Sequence, residues 1–109
     1  MENNLAKITP TQLSLKKLRD EGYTVWITEH WNSFSRTRQD MFGYCDIIAV
    51  KKNETLAVQT TTKSNMSARI HKIADNVNAP KCREANWRIE VHGWFQSENG
   101  WECKIEDLS

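Results

Sequence analysis

The chain has little of what marks disulfide-bonded, zinc-binding or membrane proteins. Its 109 residues include three cysteines, an odd number with no Cys-x-x-Cys spacing, so neither a disulfide framework nor a structural zinc site is indicated. No apolar run approaches the ~20 residues that span a bilayer, and Met1-Glu2-Asn3-Asn4 lacks the basic start and apolar core of a signal peptide. A soluble, cytoplasmic protein without a membrane partner is expected.

A large excess of charge of either sign is also missing, since the net charge is +1. The charges are nevertheless unevenly distributed. Residues 35–83 carry nine Lys/Arg against four Asp/Glu, whereas residues 84–109 carry six acids against two bases. This asymmetry favours one face that meets an anion such as nucleic acid, although a solvated charged surface gives the same pattern.

The length predicts one domain over residues 1–109, because a chain of this size buries ~60–70% of its unfolded surface around a single core. The expected fold class is α/β (α+β), in the order helix, three-stranded meander, helix, then one or two strands. Thr9-Pro10-Thr11-Gln12 is a capping-box sequence that predicts a helix from Pro10 to about Glu21, with Gly22 as its exit.

Three apolar segments then predict the meander. Residues 23–28 alternate as a strand, and residues 43–50 and 56–63 form two further strands with a plausible hairpin turn at residues 51–54. Residues 31–42 are polar and aromatic without a clear period, so they predict a long loop that either serves binding or catalysis or is locally disordered.

The remaining third of the chain predicts a helix followed by a hairpin. Ser64-Asn65 can cap a helix whose apolar side carries Met66, Ile70, Ile73, Ala74 and Val77. A short helical turn is expected after Ala79-Pro80. Residues 87–95 then predict a strand, and Asn99-Gly100 predicts a turn into an antiparallel partner.

The most informative residues are Asp46 and Gln59, which interrupt the apolar runs Gly43-Tyr44-Cys45-Asp46-Ile47-Ile48-Ala49-Val50 and Leu56-Ala57-Val58-Gln59-Thr60-Thr61-Thr62-Lys63. Polar groups at fixed points on adjacent strands are how a sheet presents metal ligands at a cleft. Two alternatives stay open: Asp46 caps a turn, and Gln59 belongs to an ordinary half-exposed strand.

These segments resemble the PD-(D/E)XK nuclease superfamily, in particular its compact Holliday-junction-resolvase-like and restriction-endonuclease-like members. The resemblance covers about residues 9–95 and is closest to short phage and prophage proteins with the same Phe-Gly-x-x-Asp and Val-Gln-x-Thr motifs. It implies a restriction-endonuclease-like core in which Asp46 and Gln59 bind Mg²⁺ or Mn²⁺ and activate water.

The chemistry of Mg²⁺ fits this layout. The ion takes oxygen ligands at about 2.1 Å, usually one or two carboxylates together with water and phosphate. On adjacent strands ~4.8 Å apart, Asp46 and the Gln59 amide oxygen can reach one ion, with the Thr60 carbonyl as a third ligand. The ion would then polarise a phosphate and acidify a bound water, which is phosphodiester hydrolysis.

The sequence departs from the superfamily pattern at the catalytic lysine. Thr61 stands two residues after Gln59, where the lysine belongs. Lys63 lies two residues beyond Thr61, which is about 7 Å further along an ideal strand. Either the long Lys63 side chain leans back to stabilise charge on the phosphate, or the site is inert. The acid that many members place on the first helix is replaced by Gln12, and Glu29 and Asp40 are the residues that can supply the missing carboxylates.

Positive charge near the proposed site suggests contacts with phosphate, because a loop and a helix N-terminus would hold it along a bound backbone. The candidates, for each of which surface solvation is the alternative, are Arg36, Arg38, Lys63, Arg69 and Lys72. Trp31 and Phe34 can stack on bases or be buried.

Two functions follow from the sequence. The first is a small DNA-binding protein that hydrolyses phosphodiester bonds with Asp46, Gln59 and Lys63. The second keeps the fold without catalysis, as a module that binds nucleic acid or a host protein, such as a phage accessory or anti-defence factor. A homodimer is possible in either case, and the hairpin that contains Trp94 and Trp101 is either its surface or a lid on the core.

Overall fold

The capping-box sequence begins the first helix as predicted. The computed structural model describes residues 8–109, so the Met1–Asn4 segment lies outside the described residues. Helix α1 spans Pro10–Asp20; the Thr9 hydroxyl accepts a hydrogen bond from the Gln12 N–H, and the Gln12 side chain accepts one from the Thr9 N–H. Gly22 follows with a φ of 94°, a conformation that glycine adopts without a steric penalty.

Five strands form one mixed sheet, and the protein has a mixed α+β fold. The strands of the chain are β1 (Thr24–Ile27), β2 (His30–Asn32), β3 (Thr37–Gln39), β4 (Ile47–Lys51), β5 (Glu54–Thr62), β6 (Arg88–Ser97) and β7 (Gly100–Asp107). The order in the main sheet is β1-β4-β5-β6-β7, with β5 and β6 parallel and the other neighbours antiparallel. The predicted meander is therefore present as β1, β4 and β5.

Two short helices connect the parallel strands β5 and β6. They are α2 (Met66–Ala74), entered through a 3-10 turn at Lys63–Asn65, and α3 (Ala79–Glu84). The prediction that Ser64-Asn65 caps α2 is wrong in detail, because no side chain caps that end. Val77 does not line the helix either; it follows the last turn and is 75% exposed.

The prediction of a structureless loop over residues 31–42 is wrong. Strands β2 and β3 pair as an antiparallel hairpin, with Trp31 opposite Arg38. The hairpin has almost no buried side chain, so it lacks the apolar alternation by which strands are recognised. Its turn is held instead by polar contacts of Asn32 with the backbone.

The main sheet separates two apolar clusters. Helix α1 covers the first, which consists of Leu15, Leu18, Val25, Ile47, Ala49, Leu56 and Val58. Helices α2 and α3 cover the second, which consists of Tyr44, Cys45, Ala57, Met66, Ile73, Ala79, Cys82, Ile89 and Val91. Neighbouring residues of β5 alternate between the clusters, as the two-residue period of a strand requires. The central strand is thus buried on both faces.

A buried polar chain fixes α1 to the sheet. The Ser14 hydroxyl lies 2.9 Å from Nδ1 of His92 and accepts a hydrogen bond of 2.8 Å from the Trp94 indole. Nε2 of His92 lies 2.9 Å from the Glu90 carboxylate. Trp94 is consequently a core residue, whereas Trp101 on the same hairpin is 41% exposed. Among the described helices, none combines the length and the apolar character needed to cross a bilayer.

Candidate metal and nucleic-acid cleft

A cleft of about 400 Å³ opens where β4 begins and β5 ends. Its walls come from the start of α1, the bases of the β2–β3 hairpin, strand β5 and helix α2. The lining residues are Pro10, Thr11, Glu29, Arg38, Asp40, Asp46, Gln59, Thr60, Thr61, Thr62, Arg69 and Lys72. Most of them are polar or charged, so the cleft suits a charged ligand rather than an apolar one.

Asp46 and Gln59 project from the same face of the sheet at the floor of this cleft. Ile47 pairs with Val58, and the Asp46 N–H donates to the Val58 carbonyl, so the next pair along the ladder is Asp46 with Gln59. The Gln59 amide Nε2 donates to Oδ2 of Asp46. Both residues are almost fully buried, at 3% and 2% exposure, yet both line the cleft.

Thr60 holds Asp46 through hydrogen-bond donors. Its backbone N–H lies 2.8 Å from Oδ2 of Asp46, and its hydroxyl lies 3.2 Å from the same oxygen. The Thr60 hydroxyl also lies 2.8 Å from the Thr11 hydroxyl of α1. Thr60 therefore orients the carboxylate, while the ligand role predicted for its carbonyl stays a prediction.

Three carboxylates converge in the cleft. Oxygens of Glu29, Asp40 and Asp46 all lie within 4.8 Å of one another. Glu29 follows β1 and Asp40 follows β3, so the two residues bracket the β2–β3 hairpin and its fold brings them to Asp46. Three carboxylate groups at this separation repel one another unless a proton or a cation lies between them.

Asp46 is the member of the acid cluster whose carboxyl group is most easily protonated. Burial raises the pKa of Asp46 to about 7, helped by the hydrogen bond to Asp40 and the negative charges of Asp40 and Glu29, while the Thr60 N–H opposes the shift. Burial also acts to raise the pKa of Asp40, but hydrogen bonds from Asp46 and Lys72 outweigh it and the pKa of Asp40 is lowered. The pair therefore shares one proton near neutral pH.

Among the residues that the structure describes, Lys72 brings its amine directly to these acids. Its Nζ lies 2.9 Å from Oδ2 of Asp40 and 3.3 Å from Oε1 of Gln59. It reaches them from α2, whose apolar side packs on the sheet through Met66 and Ile73. The amide of Gln59 thus lies between Asp46 and Lys72. Its NH₂ group faces the Asp46 carboxyl group, and its oxygen faces the Lys72 ammonium.

The other predicted cations fall into two groups. Arg38 and Arg69 line the cleft, with Nη1 of Arg38 3.9 Å from Glu29. Arg36 lies at the exposed end of the hairpin. Lys63 does not line the cleft: its amine sits 4.4 Å from the centre of the Phe95 ring, and the residue lines a separate depression with Met66 and Lys104. Lys72, expected only to contact phosphate, therefore occupies the position beside the acids that was expected for Lys63.

Comparisons with known proteins give no match for this chain. No family model matches it, and neither a curated protein nor a solved structure is significantly similar to it. The function must therefore be inferred from the cleft itself.

The donor set of the cleft suits a hard divalent cation. Carboxylate and amide oxygens are the ligands that Mg²⁺ and Mn²⁺ prefer, and Glu29, Asp40, Asp46 and Gln59 all line the cleft. The adjacent cations Arg38, Arg69 and Lys72 would repel a bare cation but attract a phosphate that accompanies it. The cleft therefore offers oxygen ligands for a cation and basic side chains for an anion within one lining.

Proposed function

We propose that this protein is a Mg²⁺-dependent nuclease with a PD-(D/E)XK-like, restriction-endonuclease-like core that binds DNA and hydrolyses its phosphodiester bonds. The observation that carries the proposal is the convergence of Glu29, Asp40 and Asp46 beside Lys72 in an open cleft. Clusters of titratable groups whose environments push their pKa values apart are typical of catalytic sites.

In this proposal Glu29, Asp40, Asp46 and Gln59 would hold the cation, which would supply polarisation of the phosphate and acidification of a water. Gln59 becomes a ligand only when its amide rotates so that Oε1 replaces Nε2 beside Asp46. That rotation removes the amide oxygen from Lys72, whose amine then faces the phosphate. Lys72 takes the charge-stabilising role expected for Lys63, and Arg38 and Arg69 hold the strand.

A second candidate function is a catalytically inactive module of the same fold that binds nucleic acid or a host protein. The observation that favours it is Thr61, which lines the cleft at the place where the superfamily pattern has its lysine. The Gln59 amide also donates a hydrogen bond to Asp46 and accepts one from Lys72, so its polar atoms have partners without a cation. Under this function the protein acts as a phage accessory or anti-defence factor, and a homodimer remains possible under either.

Cleavage assays with Mg²⁺ or Mn²⁺ distinguish the two functions. The purified protein is expected to nick or cut plasmid or branched DNA, and Asp46→Ala is expected to abolish cutting while DNA binding in EDTA persists. Asp75→Ala is the matched control, because Asp75 is an exposed acid at the end of α2 that does not line the cleft. Failure of the wild type to cut any DNA form with either ion supports the inactive module.

A pair of lysine variants tests which amine serves the reaction. Lys72→Met is expected to lower the cleavage rate ~100-fold or more, as for the loss of one charge-stabilising donor. Lys63→Met removes an amine outside the cleft and is expected to change the cleavage rate less than ~3-fold. That corresponds to a change in activation free energy of less than about 0.7 kcal/mol. The opposite order would return the role to Lys63.

A further inference from the structure

The β2–β3 hairpin exposes aromatic side chains beside the cleft. Phe34 at its tip is 99% exposed and Trp31 on β2 is 59% exposed. Neither ring is needed for the apolar clusters of the sheet, which they do not join. An exposed aromatic residue on a structured turn, close to basic residues, is typical of a binding surface rather than of a core.

Polar contacts fix the turn that carries Phe34. Oδ1 of Asn32 accepts hydrogen bonds from the N–H groups of Phe34 (2.9 Å) and Ser35 (3.1 Å), and the Asn32 carbonyl accepts one of 2.8 Å from Arg36. Arg36 has a φ of 57°, which closes the turn in the left-handed region. Because the backbone is already ordered, a ligand that contacts Phe34 loses little entropy in ordering the turn.

The hairpin is also joined directly to the acids of the cleft. Glu29 immediately precedes β2 and Asp40 immediately follows β3. Trp31 and Arg38 are directly opposite in the register, so their side chains share one face of the ribbon, and Arg38 lines the cleft. Phe34 is six residues from Asp40, which puts the tip at most about 20 Å from the acids, or roughly six nucleotide steps along a strand.

We infer that the hairpin stacks on unpaired bases, so that the preferred ligand of this cleft is nucleic acid with unpaired bases next to the bound backbone, such as a single strand, a flap or a branch. The inference rests on the proposed function. Aromatic rings stack on any base whose face is free, whereas the base faces inside an unbroken duplex are covered by their neighbours. Arg36 and Arg38 flank the rings and supply the charge complementary to the phosphates.

Binding in EDTA tests this inference without cleavage as a readout. Equilibrium affinities are measured for a labelled single strand, a forked duplex and a blunt duplex of the same length. The wild type is expected to bind the first two more tightly than the third. Phe34→Ala is expected to weaken binding of the single strand and the fork by ~5- to 100-fold, with less than about a twofold change for the blunt duplex.

Matched variants separate stacking from general loss of apolar surface. Phe34→Tyr keeps a ring and is expected to retain tight binding. Val77→Ala and Trp26→Ala are the controls for Phe34→Ala, because Val77 and Trp26 are each 75% exposed and neither lines the cleft. A 2-aminopurine base in the single strand is expected to change its fluorescence with the wild type and not with Phe34→Ala.

The outcomes are distinct. If the wild type binds no nucleic acid, the proposed function fails and this inference fails with it. If it binds nucleic acid but Phe34→Ala binds the single strand and the fork as the wild type does, the inference is overturned and the proposed function stands. If the affinity change is accompanied by loss of self-association in sedimentation, Phe34 belongs to an interface between two copies, and the stacking inference is overturned.

Discussion

Asp46, on which the proposed chemistry of the cleft depends, combines burial, a neighbouring acid and three received hydrogen bonds. Two of those hydrogen bonds come from Thr60 and one from Gln59, and all meet the same oxygen. Protonation of Asp46 and binding of a cation would both relieve the repulsion among the three acids, so the two would compete. The affinity for a cation should therefore rise as the pH increases through about 7, where Asp46 loses its proton.

The raised pKa of Asp46 predicts how stability without a cation depends on pH. A carboxyl group whose pKa is higher in the folded than in the unfolded state stabilises the fold fully below its unfolded value of about 3.9. That contribution is lost as the pH rises toward about 7. The pKa of Asp40 is lowered instead, so its contribution to the free energy of unfolding is present above its unfolded pKa and is lost as the pH falls.

Asp46→Asn should remove this dependence. The introduced amide has an oxygen to accept the bonds from Thr60 and an N–H to donate to Asp40, so it imitates the protonated acid. We expect the variant to be more stable than the wild type at pH 8 in EDTA, by up to about 4 kcal/mol, with the difference shrinking toward pH 5. Urea unfolding at both pH values measures this, and a wild type whose stability is constant or increases from pH 5 to 8 contradicts it.

At the scale of elements, the sequence predicted well those helix starts and turns that depend on neighbouring residues. The capping box of α1, the turn between β4 and β5, and the Asn99-Gly100 turn each depend on a few neighbouring residues, and all three are present. The placement of Asp46 and Gln59 on one face also followed, because the apolar alternation of two paired strands sets which side chains share a side.

The rest of the cleft depends on tertiary contacts that no local pattern encodes. Glu29 and Asp40 meet Asp46 only because the hairpin between them folds back on itself, and that hairpin is held by side-chain-to-backbone bonds rather than by apolar periodicity. The sequence indicates these two carboxyl groups only as possible replacements for the acid that the first helix lacks. The position of Lys63 outside the cleft likewise depends on the 3-10 turn before α2, which begins at Lys63 directly after β5 ends.

The close contact between α2 and β6 explains how Lys72 is held in place. A Cβ added at Gly93 of β6 would overlap the Met66 thioether and lie 3.1 Å from Cα of Lys63. Gly93→Ala is therefore expected to destabilise the protein by about 1–3 kcal/mol, as overpacking of a core does. Since the same helix carries Lys72 and Arg69, cleavage should also slow. Chemical unfolding and cleavage rates measure the two effects.

A double-mutant cycle checks the cause of that loss. Met66→Ala alone leaves a cavity, and the methyl group of Gly93→Ala partly fills it when both changes are present. The combined cost should therefore be clearly smaller than the sum of the two single costs. Strictly additive costs would show that the strain comes from the backbone near Lys63 and not from Met66.

At the scale of the whole molecule, basic side chains accompany the acids of the cleft, whereas the edge strand β7 carries mainly acidic ones. The cleft and hairpin carry Arg36, Arg38, Arg69 and Lys72, while the edge strand β7 carries Glu102, Glu106 and Asp107. The net charge of +1 conceals this division. A polyanion should therefore meet the cleft side, and the acidic edge strand should stay free of it.

Salt dependence tests that orientation. If about four basic side chains each neutralise one phosphate, the logarithm of the DNA affinity should fall with the logarithm of salt concentration with a slope of about −3. Arg69→Ala should reduce the magnitude of the slope by about 1, while Lys104→Ala on β7 should leave it unchanged. Titrations by fluorescence anisotropy give these slopes, and an affinity insensitive to salt would point to a protein partner instead.

Under the proposed function, the attachment of the hairpin to two of the three acids would link ligand binding at its tip to cation binding. A cation that draws Glu29 and Asp40 together also fixes both ends of the ribbon, and a ligand that holds the ribbon still in turn favours the arrangement the cation requires. Because such linkage is reciprocal, each of the two ligands should strengthen the other's binding by the same factor. Binding of a nucleic-acid strand at the hairpin and binding of the cation in the cleft would then occur together.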